Sequence, residues 1–163
     1  MTGGGADTRA LLRESDDPDW LEWPRDHDRA AVAARFRTPA ARLEADFAVR
    51  CEAVPDQDSS EYGRVVVPAG ATVRGTRLVV CVSNFGSPAL VCADNPGAFS
   101  GTADARAEGE LDVADLAKVE RALGELGYVV VAEELLGCDY DGPSRLPGHV
   151  QRPTWVDRFF GIF

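Results

Sequence analysis

Residues 77–94 read RLVVCVSNFGSPALVCAD. Two runs dominated by valine, leucine and other apolar residues, 77–83 and 89–94, flank the sequence Asn84-Phe85-Gly86-Ser87-Pro88. Short apolar runs on either side of a stretch rich in Gly, Pro, Asn and Ser are typical of a β-hairpin. The sequence therefore predicts two neighbouring antiparallel strands.

Cys81 and Cys92 lie within these two predicted strands. If the turn centres on Gly86-Ser87, the two cysteines face each other directly across the hairpin, where paired Cα or Cβ atoms lie about 4.5–5.5 Å apart. Contact between the sulfurs would permit a redox role, whereas buried free cysteines usually serve as small apolar side chains. We expect the thiols to pack, and a redox pair is the alternative.

Three further segments have strand character. Residues 43–54 alternate apolar and charged side chains with period two, which indicates a strand with one face on the core and the other in water. Residues 62–67 and 128–133 are apolar runs of strand length. Together with the hairpin, these segments predict a mostly antiparallel sheet of about five strands.

Helices are predicted before and after the hairpin. Asp26 or Asp28 can cap a helix that runs to about residue 37 and that Pro39 ends. Asp112 can cap a second helix that runs to about residue 126, in which apolar residues recur at spacings of three and four. We expect the helices to pack on one face of the sheet, which gives an α+β fold.

A length of 163 residues fits one domain with one core. Residues 1–25 mix Gly, Asp and Pro with isolated apolar residues, so we expect a partly ordered N-terminal segment followed by a single α+β domain over residues 26–163. Residues 95–110 are rich in Gly, Ala and Asp and predict a loop. The sequence indicates no particular oligomeric state.

The charge balance bears on the class of partner. Lys and Arg number 17 against 27 Asp and Glu, a formal net charge of -10. Such a chain repels phosphate backbones and anionic lipid, so nucleic acid is a poor partner, whereas a basic protein would be attracted. No apolar run has the length or flanks of a membrane span or a signal peptide, so we expect a cytoplasmic protein without membrane contact.

Residues that bind metals and cofactors do not cluster in the sequence. The four cysteines lack any Cys-x-x-Cys spacing, and His27 and His149 fall in no metal-binding or catalytic spacing. No glycine-rich stretch has the form of a nucleotide-binding loop. The carboxylate pairs Glu133-Glu134 and Asp16-Asp17 are interpreted as surface charges. We therefore expect neither a metal nor a cofactor.

The C-terminal segment combines Tyr140-Asp141-Gly142 with the sequence PTWVDRFF at residues 153–160. Thr154 and Asp157 have the capping-box spacing, which predicts a terminal helix. Residues 128–163 resemble the ending of an uncharacterised group of small bacterial proteins that close with a Tyr-Asp-Gly turn and a Thr-Trp-Trp/Phe-Asp-Arg-Phe/Tyr-Phe-Asp helix. Val156 stands where that group usually has an aromatic residue, and Gly161 where it has Asp. The resemblance implies a bacterial accessory or immunity-type protein.

Two interpretations of this motif remain open. Trp155 and Arg158 can anchor the last helix on the sheet, with Tyr140 packing its ring and bonding through its hydroxyl. Alternatively, Tyr140, Asp141, Trp155 and Arg158 form a partly exposed protein-binding patch, since these residue types are enriched in interface hot spots.

The sequence supports three hypotheses of function. The first is a non-catalytic protein-binding or immunity-type protein that uses an acidic surface against a basic partner. The second is a small hydrolase with Asp139, Asp141 and His149 in the long loop after the fifth strand, since functional residues often lie in such loops. The third is a purely structural accessory subunit.

Overall fold

The computed structural model describes residues 3–21, 24–55, 60–146 and 151–161. Its helices are α1 (Gly3–Ser15), α2 (Arg29–Phe47), α3 (Thr102–Ala107), α4 (Val113–Glu125), α5 (Glu133–Leu136) and α6 (Trp155–Phe160), with a short 3-10 turn at Ala69–Ala71. Its strands are β1 (Glu52–Val54), β2 (Glu61–Val67), β3 (Leu78–Ser83), β4 (Pro88–Ala93) and β5 (Val129–Val130).

The described strands form one five-stranded sheet in the order β1-β2-β3-β4-β5. The first four strands pair antiparallel, and β5 pairs parallel with β4. The α+β class and the mostly antiparallel sheet are therefore confirmed. Residues 3–21, which the sequence analysis treats as partly ordered, contain helix α1, whose Leu12 is buried in the core.

The hairpin is confirmed, but its register differs from the prediction. Cys81 pairs with Leu90 and Cys92 pairs with Val79, so the turn centres between Phe85 and Gly86. The prediction that the two cysteines face each other directly is therefore wrong. Because the partner of Cys81 is shifted by two residues, both cysteines still lie on the same face of the sheet, as diagonal neighbours. Diagonal neighbours lie about 7–8 Å apart, beyond the Cβ separation of about 3.5–4.5 Å that a disulfide requires.

Each of these thiols is hydrogen-bonded to a carboxylate. The Cys81 thiol donates to Glu61, and the Cys92 thiol donates to Glu133. Burial raises the pKa of both thiols, and the neighbouring carboxylates raise it further because they disfavour a second negative charge. The thiols are therefore protonated near neutral pH, in an environment that suppresses their reactivity.

Helices cover both faces of the sheet. Every residue of β3 and β4 is buried. On one face, Val80 and Val91 pack with α2 and α4; on the other, Val79 and Cys81 pack with α1, α5 and α6. The prediction of helices on one face is corrected here, because two continuous apolar central strands need cover on both sides.

Helix α2 replaces the first half of the predicted strand at residues 43–54. It begins after Asp28, whose carboxylate accepts a hydrogen bond from the Ala31 N–H at 3.0 Å, and it continues through Pro39. Its buried side chains, Phe36, Pro39, Leu43 and Phe47, recur at three or four residues, which is the spacing of a helix face. It ends where Ala48 adopts a left-handed conformation, with φ of 51°. The predicted end at Pro39 is therefore wrong.

The predicted N-terminal caps of α4 and α6 are confirmed. Asp112 accepts hydrogen bonds from the Ala114 and Asp115 N–H groups, and α4 follows as predicted. Thr154 and Asp157 form the predicted capping box of α6. The predicted loop at residues 95–110 contains the short helix α3, and only Val129–Val130 of the predicted last strand pairs in the sheet.

The cysteine environments predict selective alkylation. In the folded chain, iodoacetamide should modify the exposed Cys138 much faster than the buried Cys81 and Cys92, because the thiolate is the reactive form and needs access. Peptide mass spectrometry of a time course measures the three rates. Labelling in urea is the control, where all three should react. Equal rates in the folded chain would contradict the structure.

Gly63 makes a close approach that predicts a stability difference. It lies at the irregularity in the β2–β3 pairing, and a Cβ there would lie 2.6 Å from the Val54 carbonyl oxygen and 3.2 Å from Phe36 Cζ. Gly63→Ala should lower the free energy of unfolding by about 1–3 kcal/mol, measured by urea denaturation. Gly70→Ala is the matched control, since no atom lies within 4 Å of its added Cβ. Equal midpoints for both variants would contradict this packing.

Candidate functional site

Arg158 lies at the centre of the C-terminal segment and is fully buried. Its Nε donates a hydrogen bond to Asp16 Oδ1 at 2.7 Å. Its two terminal nitrogens donate to backbone carbonyls at Leu21 (3.0 Å), Trp20 (2.8 Å) and Asp17 (3.1 Å). A buried charge is tolerated only when it is paired and hydrogen-bonded, and this guanidinium meets both conditions. Helix α6 is thereby fastened to residues 16–21.

Asp16, which was predicted to be a surface charge, is instead buried, and it extends this contact to a third segment. Its carboxylate accepts hydrogen bonds from the Ser144 hydroxyl at 2.6 Å and from the Tyr140 hydroxyl. The Tyr140 oxygen in turn accepts from the Ser144 N–H at 2.9 Å. We call Asp16, Tyr140, Ser144 and Arg158 the Arg158 network. It joins the chain after α1, the turn at residues 140–144 and α6.

Aromatic rings surround the network. Arg158 Cζ lies 4.3 Å from the centroid of the Phe85 ring, and the Trp155 and Phe159 rings stack at 6.0 Å. Tyr140 packs edge-on against Trp155 at 4.7 Å. Trp155 is 7% exposed and Arg158 is 0% exposed, so both are placed as anchors inside the chain. An exposed patch that includes them is not present in this structure.

The other two predicted binding residues have different surroundings. Tyr140 is half-buried, and Asp141 is exposed. Arg13 of α1 donates to both carboxylate oxygens of Asp141 at 3.1 Å, and its Cζ lies 5.5 Å from the centroid of a Trp155 ring. The structure therefore brings Asp141 and Trp155 together around Arg13, which was not predicted from the sequence, and Tyr140 joins them through its contact with Trp155.

A small cavity, which we call the notch, lies between α1, α5 and residues 138–141. Its volume is about 120 Å³. Its apolar wall consists of Leu12, Leu135 and Trp155, and its charged lining consists of Arg9, Arg13, Asp139 and Asp141. Exposed Cys138 also lines it. The notch is thus apolar on one side and carries charges of both signs.

A wider concave surface, which we call the acidic depression, lies on the other side of α5. Its volume is about 500 Å³, and its apolar lining includes Pro96, Phe99 and Val156. Asp104 and Glu133 supply its charged side chains, and no basic residue occurs among the described residues that line it. Glu134 follows Glu133, and its carboxylate accepts a hydrogen bond from the Ala103 N–H of α3 at 3.4 Å.

Backbone groups hold these carboxylates. Glu133, only 8% exposed, accepts from the Gly97 N–H at 2.8 Å, and Asp104 accepts from the Ser100 N–H at 3.1 Å. Within the described ranges, neither residue nor Glu134 has a Lys or Arg partner within 4.0 Å. The interpretation of Glu133 as a surface charge is therefore corrected. The site was missed because its residues come from two segments that only the fold brings together.

The notch and the depression are immediate neighbours. Residues Asp139 and Thr154 form a β-bridge. Asp139 and Trp155 line the notch, whereas Thr154 and Val156 line the depression. Helix α6 and this bridge therefore position residues on both surfaces.

Two of the three residues in the hydrolase hypothesis lie at one cavity. Asp139 and Asp141 line the same notch, and His149 lies outside the described residues. In the part of the chain that the structure describes, no three His, Cys, Asp or Glu side chains are arranged to hold a metal ion.

Comparisons with known proteins give no indication of function. No protein-family model, no curated protein and no solved structure matches the chain. Among the helices that the structure describes, none has the length and apolar character needed to cross a bilayer. Function therefore has to be inferred from the geometry of the notch and the depression.

Removal of the Arg158 charge should destabilise the fold. Arg158→Met leaves Asp16 buried without its cation, and we expect the free energy of unfolding to fall by about 3–5 kcal/mol. Arg25→Met is the matched control, because Arg25 is exposed and its nearest Asp19 oxygen is 3.8 Å away, a contact that contributes about 0–1 kcal/mol. Urea denaturation measures both values. Similar losses for the two variants would show that the buried network has no special role.

Proposed function

We propose that this chain is a non-catalytic protein-binding module whose acidic depression docks a basic segment of a partner protein. The observation that supports it is that Asp104 and Glu133 line a concave surface of about 500 Å³ with no basic residue among its described lining. Glu134, whose carboxylate accepts from the Ala103 N–H, adds a third carboxylate beside α3. Carboxylates that have no cationic partner attract a positively charged group. A bacterial, cytoplasmic setting and an immunity-type role against a basic toxin are part of this proposal.

Backbone hydrogen bonds fix two of these carboxylates in the unbound chain. The Gly97 N–H holds Glu133 and the Ser100 N–H holds Asp104, so little side-chain freedom is lost on binding. A guanidinium or ammonium group can then donate charge-assisted hydrogen bonds to the carboxylate oxygens. The half-buried Phe99 supplies a ring against which such a cation or its alkyl stem can pack.

The net charge supports the same partner at longer range. A formal charge of -10 raises the encounter rate with a basic protein and disfavours acidic competitors. Long-range attraction alone is unspecific, because any basic polymer experiences it. Specificity in this proposal comes from the shape and the fixed carboxylates of the depression, so the two contributions can be separated by mutation.

Two triple variants with equal changes in net charge test the proposal. One removes the depression charges by Asp104→Asn, Glu133→Gln and Glu134→Gln. The control removes three exposed charges elsewhere by Asp26→Asn, Glu52→Gln and Glu120→Gln. Calorimetry with an arginine-rich synthetic peptide should show that peptide affinity falls about tenfold or more in the first variant and about twofold or less in the second.

Capture from cells of the native host extends the measurement to natural partners. A stoichiometric basic protein should bind the wild type and the control variant, be lost with the depression variant, and dissociate as ionic strength rises. Equal losses of peptide affinity in the two triple variants would contradict the proposal, because that result describes unspecific charge attraction.

A further inference from the structure

The notch holds two opposite charges that do not meet. Arg9 and Asp139 both line it, and both are exposed. Neither forms an ion pair or hydrogen bond through its side chain with any described residue. Arg13 and Asp141, by contrast, bind each other at 3.1 Å and neutralise one another. One cation and one anion of the notch are therefore left for a ligand.

The apolar wall of the notch stands between these charges and the core. Leu12, Leu135 and Trp155 supply it, and Trp155 is held in place by stacking on Phe159. Leu12 and Trp155 are 2% and 7% exposed, so the wall belongs to the packed core on the sheet face that α1, α5 and α6 cover. A ligand that fits the notch needs an apolar part as well as both charges.

The volume limits the size of that ligand. A cavity of about 150 Å³ accommodates a ring of six carbon atoms. The notch, at about 120 Å³, therefore suits a molecule of about five to seven non-hydrogen atoms. A small α-amino acid has this size, carries one carboxylate and one ammonium group, and bears a short apolar side chain.

We propose that the notch binds a small free α-amino acid. Its carboxylate accepts hydrogen bonds from the Arg9 guanidinium, its ammonium group donates to the Asp139 carboxylate, and its side chain packs on Leu135 and Trp155. Both charges of the ligand thus find a charge-assisted hydrogen bond. A simple anion satisfies only Arg9, and a simple amine satisfies only Asp139. This site is separate from the acidic depression and does not depend on its proposed role.

Titration of the full chain with L-alanine tests the site. The nuclear magnetic resonance signal of the Trp155 indole N–H should shift saturably, and bound alanine should slow alkylation of Cys138, which lines the notch. N-acetyl-L-alanine lacks the ammonium charge and L-alaninamide lacks the carboxylate. Each should bind about tenfold more weakly than alanine, or weaker still.

Two variants identify which charge each residue recognises. Arg9→Gln should weaken alanine binding about tenfold or more and leave alaninamide binding unchanged within about twofold. Asp139→Asn should weaken alanine binding by a similar factor and leave N-acetylalanine unchanged. Glu120→Gln and Arg121→Gln, both exposed on α4, are the controls and should not alter alanine binding.

Three results would overturn the proposal. The first is no saturable shift with alanine at millimolar concentration. The second is equal affinity for alanine and acetate, which indicates an anion site alone. The third is equal weakening of alanine and alaninamide by Arg9→Gln, which shows that Arg9 does not contact the carboxylate. The depression variants leave Arg9 and Asp139 intact, so failure here is distinguishable from failure of the protein-binding proposal.

Discussion

The buried guanidinium of Arg158 imposes the constraint on which the second face of the sheet depends. A charge with no exposed surface must use its donors inside the chain, and Arg158 finds its partners in residues 16–21. The pairing with Asp16 spans 142 residues of sequence, so it closes the two ends of the described chain onto one another. Without it, α1 would lack its polar attachment to α6, and the notch between α1 and α5 would lose a wall.

The central strands explain why the chain ends are used in this way. Because β3 and β4 are buried along their whole length, the sheet requires two layers of helix. The longer helices α2 and α4 cover the first face. The second face is covered by the short α5 and α6 together with Leu12 of α1, and short helices contribute little stability by themselves. Tertiary contacts such as the Arg158 network compensate for their length.

Sequence signals that act within a few residues predicted the structure well. Local residues predicted the N-cap at Asp112 and the capping box at Thr154, and they gave Asp28 as one of two candidate N-caps for α2. The errors concern contacts between distant residues. Pro39 was expected to end α2, yet it is buried on the core-facing side, where tertiary packing overrides the lost hydrogen bond. Helix α1 was missed because its main polar anchor is supplied by α6.

The same distinction applies to the candidate surfaces. Tyr140, Asp141 and Trp155 were identified from the C-terminal motif. Asp141 and Trp155 line the notch, and Tyr140 packs on Trp155. Glu133, Asp104 and Phe99 carry no local signal, because a carboxylate becomes part of a concave site only when another segment folds beside it. Arg9 likewise lies one helical turn before Arg13 on a helix that the sequence did not predict.

Two residues of the aromatic C-terminal motif position helix α6 from inside the chain. Trp155 and Arg158 face inward, and their burial fixes the orientation of α6. That orientation carries Thr154 and Val156 to the depression and, through the bridge to Asp139, sets one charged side of the notch. An aromatic residue in place of Val156 would enlarge the apolar wall of the depression without disturbing the anchors. Substitutions that leave Trp155 and Arg158 buried can thus change the surface beside α6 while the fold stays the same.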